Sequence, residues 1–262
     1  GAFGLPEMGA PGAGLGTAIA LYSGVLINAI MLWLDSRKQN ISLYSLQRRT
    51  LWTLLRLSLH PSLQQLLMAL SILVLFYIIG LLGTAEQAIV HVLINLALFL
   101  ILPAVGFGVA ATSLVSRALG EQNEERACYW GWAVAKTALV AISFISIPMW
   151  LFPQSILQLF LNDPALIHQA VIPLQLTALA ICVDAVAIVL AQALLGAGSN
   201  QLVLAISTVT QWGVFLPLAW LTGPILGYGL IGIWVAQVLY RGIASLVYMH
   251  IWQRQPWQLK MI

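Results

Sequence analysis

"QAVIPLQLTALAICVDAVAIVLAQALL", residues 169–195, decides the fold: it is a long apolar run that carries a single charge, Asp184. A helix needs about 20 apolar residues to cross the hydrocarbon core of a bilayer, and this run is long enough. The rest of the chain has the same character. Of 262 residues, 61% are hydrophobic and 7% are charged, and the mean hydropathy is +0.94. An average soluble domain is about 25% charged. A chain this apolar cannot cover its surface with polar groups in water. Its solvent is therefore lipid over much of its length.

Working outward, seven such runs predict seven transmembrane helices, over 13–34, 58–82, 87–116, 130–152, 169–195, 201–222 and 228–251. The third contains Pro103, Gly106 and Gly108, which predicts a tilt or kink. Pro148, Pro173 and Pro217 lie in other runs, where neighbouring groups must satisfy the freed carbonyls. The expected domains are a periplasmic approach and first helix (1–34), a cytoplasmic linker (35–57), a six-helix lobe (58–252) and a cytoplasmic tail (253–262).

Orientation follows the basic residues, which collect on the cytoplasmic side. Residues 35–49, "DSRKQNISLYSLQRR", carry Arg37, Lys38, Arg48 and Arg49; residues 116–127 carry Arg117 and Arg126; the tail carries Arg254 and Lys260. The alternate loops, 81–87, 152–169 and 222–229, carry none. The expected topology is a multi-pass protein of the cell membrane, with the C-terminus cytoplasmic and the N-terminus of this chain outside. The net charge of +3 therefore marks loops and not a nucleic-acid partner. Cys128, placed in a loop, and Cys182, in a span, are expected to be unpaired. There is no CxxC, HExxH, GxSxG or P-loop, so no enzyme motif is present.

The beginning of the chain is read as the remainder of something longer. It has no basic region or signal peptide to start translocation. Residues 8–24, "MGAPGAGLGTAIALYSG", also align with 226–242, "LGYGLIGIWVAQVLYRG", pairing Gly9 with Gly227, Gly14 with Gly232, Ala18 with Ala236, Tyr22 with Tyr240 and Gly24 with Gly242. Chance likeness between glycine-rich spans is one explanation. A parallel duplication is the other. It makes the first helix the last of a missing N-terminal six-helix lobe.

A glycine-rich last helix closing each of two six-helix lobes resembles the MATE family (multidrug and toxic compound extrusion). Residues 102–127, "LPAVGFGVAATSLVSRALGEQNEERA", are similar to the family's helix with Pro and spaced Gly followed by an acidic, Asn-containing turn. Residues 151–170, "LFPQSILQLFLNDPALIHQA", look like its extracellular linker, and 4–17 like the approach to its sixth helix. Residues 184–200, "DAVAIVLAQALLGAGSN", look like the tenth helix of NorM-type members. The resemblance implies export of small-molecule drugs, often organic cations, by H+ or Na+ antiport, with no cofactor besides that ion. It also implies a central cavity shared with the N-terminal lobe.

Asp184 is the one acid well inside a span; Glu7, Asp35, Glu86, Glu121, Glu124, Glu125 and Asp163 fall in loops or at edges. A charge at the bilayer centre costs about 2.5–3.5 kcal/mol on insertion scales, which makes an intramembrane acid a functional candidate. The resemblance implies that Asp184 is the cation-coupling residue. The NorM pattern adds a glutamate in the seventh helix and a tyrosine one turn before the aspartate. Here the seventh helix, "PSLQQLLMALSILVLFYIIG" (61–80), has no acid, and Ala180 stands one turn before Asp184. Sodium needs several oxygen ligands, whereas a proton needs one group, so a Na+ site at Asp184 is possible but the departure favours H+. The competing reading is a structural ion pair with Arg241 or Lys136. Gln64, Gln65 and Asn95 are candidates for cavity contacts or interhelical hydrogen bonds. Tyr77, Trp212 and Tyr240 are candidates to hold an organic cation on an aromatic face. Trp33, Trp130, Trp132, Trp150 and Trp252, near span ends, read as an interfacial belt. A lipid-linked-precursor flippase would need a strongly basic cavity, an intramembrane enzyme a pair of carboxylates or a metal cluster, and a non-transporting scaffold would leave Asp184 idle.

Overall fold

Apart from short turns, the chain is helical in its described residues, 9–38 and 48–254, in a computed structural model. Lipid dictates this: a backbone with no water to bond must satisfy itself within each segment. The helices are α1 (Gly9–Lys38), α2 (Arg48–Gly80), α3 (Thr84–Gly120), α4 (Glu124–Leu151), the short α5 (Pro153–Leu157), α6 (Pro164–Gly196), α7 (Asn200–Thr208), α8 (Leu216–Trp220) and α9 (Gly229–Gln253). Among the described residues, six helical spans are long and apolar enough to cross a membrane: Ser58–Gly80, α3, α4, α6, Asn200–Ile225 and α9. The first predicted span lies within α1, where the described apolar stretch is the shorter Ala18–Met31. Residues 1–8, most of the linker (39–47) and the tail from 255, with Lys260, lie outside the described residues. The chain divides into two compact units, 1–56 and 57–262.

Helices extend beyond the apolar spans. Within the linker expected over 35–57, α1 runs to Lys38 and α2 starts at Arg48. Basic residues end a membrane span but not a helix, because Arg and Lys are good helix formers in water. For the same reason α3 continues through Arg117 to Gly120, and Cys128 sits in α4 and not in a loop.

The α3–α4 turn is built from local polar bonds. The Asn123 side chain accepts a 2.9 Å bond from the Arg126 backbone N–H and so caps α4. Glu124 and Glu125 occupy the first turn of α4, where the helix dipole favours acids. Glu121 bridges Arg117 (3.0 Å) and Arg126 (3.1 Å). Asn123→Ala is expected to lower stability by about 1 kcal/mol, the usual worth of an N-cap. Thermal unfolding of the purified protein checks this, and an unchanged midpoint would remove the cap from the account.

In the second unit, α6 is the central element. It packs against α3, α4 and α9, and half of its apolar window is buried, the largest share of any span. Small residues allow the close approaches. A Cβ on Gly196 would lie 2.6 Å from the Thr112 carbonyl oxygen, and one on Gly131 would enter the Trp252 indole at 2.2 Å. Trp252 is thereby fully buried between α9 and α4 and is no belt residue. The missing side chain at Gly131 turns an interfacial tryptophan into core.

Buried side chains form two apolar clusters. One includes Leu93, Leu100, Leu174, Ile181, Ala185 and Ile233; the other includes Ala111, Val115, Ala187, Leu190, Tyr248 and Trp252. α6 passes from the first cluster to the second between Ala185 and Ala187. Asp184 directly precedes Ala185, the last buried residue of α6 in the first cluster.

The span Asn200–Ile225 is not a plain α-helix. Residues Val209–Phe215 and Leu221–Ile225 are π-helical, with N–H bonds from Leu216 to Gln211 and from Leu226 to Leu221 five residues back. Pro217 and Pro224 permit the widening. A proline lacks the N–H and its ring crowds the carbonyl a turn earlier, and the wider turn relieves both.

Candidate functional site

A cavity of about 270 Å³ opens between α2, α3, α6, the Asn200–Ile225 span and α9. α6 supplies one wall through Asp184, Ile188, Ala191 and Gln192, a helical i, i+4, i+7, i+8 stripe. α2 contributes Gln64, Gln65, Leu67 and Met68; α9 contributes Tyr240 and Arg241. The broken span adds Ser207, Thr208, Gln211 and Trp212. Here the π-helical turn has a purpose in the geometry. Gln211 Nε2 donates to Ser71 Oγ (2.9 Å) and Trp212 Nε1 to the Leu67 carbonyl (3.3 Å), tying the broken span to α2 beside the cavity.

The charge at the centre is paired. Arg241 Nη1 donates to Asp184 Oδ2, with the two side chains only 11% and 14% exposed. This resolves the choice of partner: Arg241 and not Lys136, which is exposed and does not line the cavity. The Arg241 Nε is buried without a hydrogen-bond partner. Beside the pair, the Tyr240 ring packs on Phe215 at 4.9 Å between centroids, and the Arg241 guanidinium lies 5.9 Å from the Tyr240 ring centre.

The structure therefore brings together five of the candidates named from sequence: Asp184, Gln64, Gln65, Trp212 and Tyr240. It leaves out two. Tyr77 is 69% exposed, away from the cavity. Asn95 is exposed and bonds within its own helix, donating to the His91 carbonyl at 2.8 Å. Sequence reasoning passed over Gln192, Ser207, Thr208 and Gln211. Gln192 was legible as the i+8 partner of Asp184. Gln211 was not, because its direction is set by the π-helical turn.

The lining can do the following chemistry. It offers amide and hydroxyl groups for hydrogen bonds, two aromatic faces, and one acid neutralised by one base. Arg241 is the one cation on the lining, so the strongly basic pocket that a pyrophosphate lipid requires is not seen among the described residues. Nor, among the described residues, does any group of three or more His, Cys, Asp or Glu side chains gather as for a metal. A sodium ion would find one carboxylate here, already engaged by Arg241.

Comparison with known proteins agrees with this architecture. The family model MatE matches residues 62–221, more than half of the chain. An uncharacterized transporter of Bacillus subtilis, YisQ, is 24% identical over 98% of this chain and 57% of its own length. A protein of Thermotoga maritima named "Probable multidrug resistance protein NorM" is 25% identical over 95% of this chain and 54% of its own. A crystal structure of MATE in the straight conformation superposes with a TM-score of 0.82 at 21% identity, covering 92% of this chain and 56% of that one. The chain spans about half the length of the curated relatives it matches. With six helical spans of membrane length and this match, the chain is a multi-pass membrane protein and belongs to the MATE family.

Proposed function

We propose that the chain is the C-terminal part of a secondary active transporter that exports organic, often cationic, drugs in exchange for H+ or Na+. It supplies one wall of the drug cavity, and an N-terminal lobe of the same transporter supplies the other. Transport, not catalysis, is its work. The observation that carries this reading is the Asp184–Arg241 pair set among amides and aromatic rings in an otherwise apolar bundle. Such a group is costly in a membrane and is expected to serve a pathway. Relatives named as multidrug resistance proteins support the substrate class. The basic residues of the loops support a cell-membrane protein with its C-terminus in the cytoplasm.

On this reading Asp184 alternates between cation-bound and drug-competent states of the complete transporter. The test is ethidium efflux from cells expressing the full-length parent, wild type against Asp184→Asn, with sodium and proton gradients imposed separately. At equal membrane expression, the variant is expected to fall to the level of cells without the transporter under the gradient that drives the wild type. Unchanged efflux under both gradients would take the coupling role away from Asp184.

A further inference from the structure

We infer that Arg241 is an internal counter-cation, which an organic cation must displace from Asp184 in order to bind, and that it thereby sets the cavity's selectivity for charge. The inference rests on the proposed function, because it concerns the same cavity.

Three observations carry it. First, the contact leaves part of the arginine fork unused. Arginine–carboxylate pairs are frequently bidentate, with two parallel bonds. Here the bond runs from Nη1 to Oδ2, and the buried Nε has no partner. Second, the pair stands on the wall of a cavity, where a solute can reach it. Third, no other charged side chain lines the cavity among the described residues, so Asp184 is the single group there able to neutralise an incoming cation. While Arg241 holds it, the cavity is neutral and offers a cation only aromatic and amide contacts.

The exchange has a simple consequence. A site that is open for only a fraction of the time binds with an affinity reduced by that fraction. If Arg241 occupies Asp184 for about nine-tenths of the time, removing the guanidinium tightens cation binding about tenfold. The guanidinium is weakly hydrated and planar, so it can leave a carboxylate and pack on a ring more readily than an ammonium could. Tyr240 is the adjacent ring.

The experiment measures tetraphenylphosphonium binding to the purified full-length transporter by equilibrium dialysis. Arg241→Gln is expected to bind about tenfold more tightly than the wild type. Asp184→Asn and the double variant are expected to bind equally weakly, with no gain from losing the arginine. Tetraphenylphosphonium should also raise the melting temperature of Arg241→Gln by more than that of the wild type. Because Arg241→Gln leaves an acid unpaired and weakens folding, a second measurement uses the wild type alone. Phenylglyoxal modification of Arg241, located by peptide mass spectrometry, is expected to increase severalfold when tetraphenylphosphonium is bound. A merely structural pair would be unchanged or protected, and either result overturns the inference. Binding that survives in Asp184→Asn at wild-type strength would instead overturn the role of Asp184, and the inference with it. Loss in Asp184→Asn without gain in Arg241→Gln, and without the rise in modification, would sink the inference alone.

Discussion

Gly196→Ala is expected to destabilise the protein by about 1–3 kcal/mol, the usual effect of overfilling a packed interior. The new Cβ would lie 2.6 Å from the carbonyl oxygen of Thr112 and 3.0 Å from its Cα. Both are backbone atoms of α3 and cannot swing aside as a side-chain end can. Nearby, Thr112 Oγ1 donates to the Gln192 carbonyl at 2.8 Å, so the α3–α6 crossing is pinned on both sides. Separating the helices to admit a methyl group would stretch that bond and disturb Gln192 in the cavity wall. Gly106→Ala, in the exposed face of α3 with nothing within 4 Å of the added carbon, is the matched control. There alanine should be neutral or stabilising by up to about 1 kcal/mol, from helix propensity alone. Thermal unfolding of both variants in detergent tests the contrast. A Gly196→Ala midpoint at or above that of Gly106→Ala would show that the crossing is looser than its geometry implies.

That contrast marks what the sequence could and could not reveal. The spans were legible because lipid imposes a length and a composition on each one. Helix ends were not, since helices such as α2 and α3 run on past their apolar stretches, α2 starting at Arg48 and α3 ending at Gly120. Asp184 stood out as a charge in an apolar run, but its partner did not. Choosing Arg241 over Lys136 needs the distances between helices, which no periodicity within one helix contains. Tyr77 and Asn95 lie off this cavity, and the sequence could not foretell it for a related reason: spans that are apolar all round do not announce which side faces a cavity. Trp252 looked like a belt residue because the space made for it belongs to Gly131, on another helix. Gln211 required the π-helical register, which two prolines permit but do not specify.

Breaking the Asp184–Arg241 pair from either side is expected to have the largest effect on stability. Asp184→Asn leaves a guanidinium without its counter-charge, and Arg241→Gln leaves a carboxylate. Both side chains are nearly buried, at 14% and 11% exposure, so water screens little of the loss. Each single variant should destabilise by about 3–5 kcal/mol, the range for a buried charge stripped of its partner. The double variant Asp184→Asn/Arg241→Gln should recover more than half of either loss, because replacing both charges removes the penalty that each single change exposes. Unfolding of the purified protein by heat and by denaturant measures the cycle; losses that simply add would mean that the two groups do not interact energetically. The cycle also separates structure from function. On the proposed function, a pair kept only for folding predicts that the double variant, once stable, exports drug as the wild type does. A pair that works in transport predicts a stable double variant that remains inactive, since the carboxylate that receives the cation is gone whether or not the arginine is present.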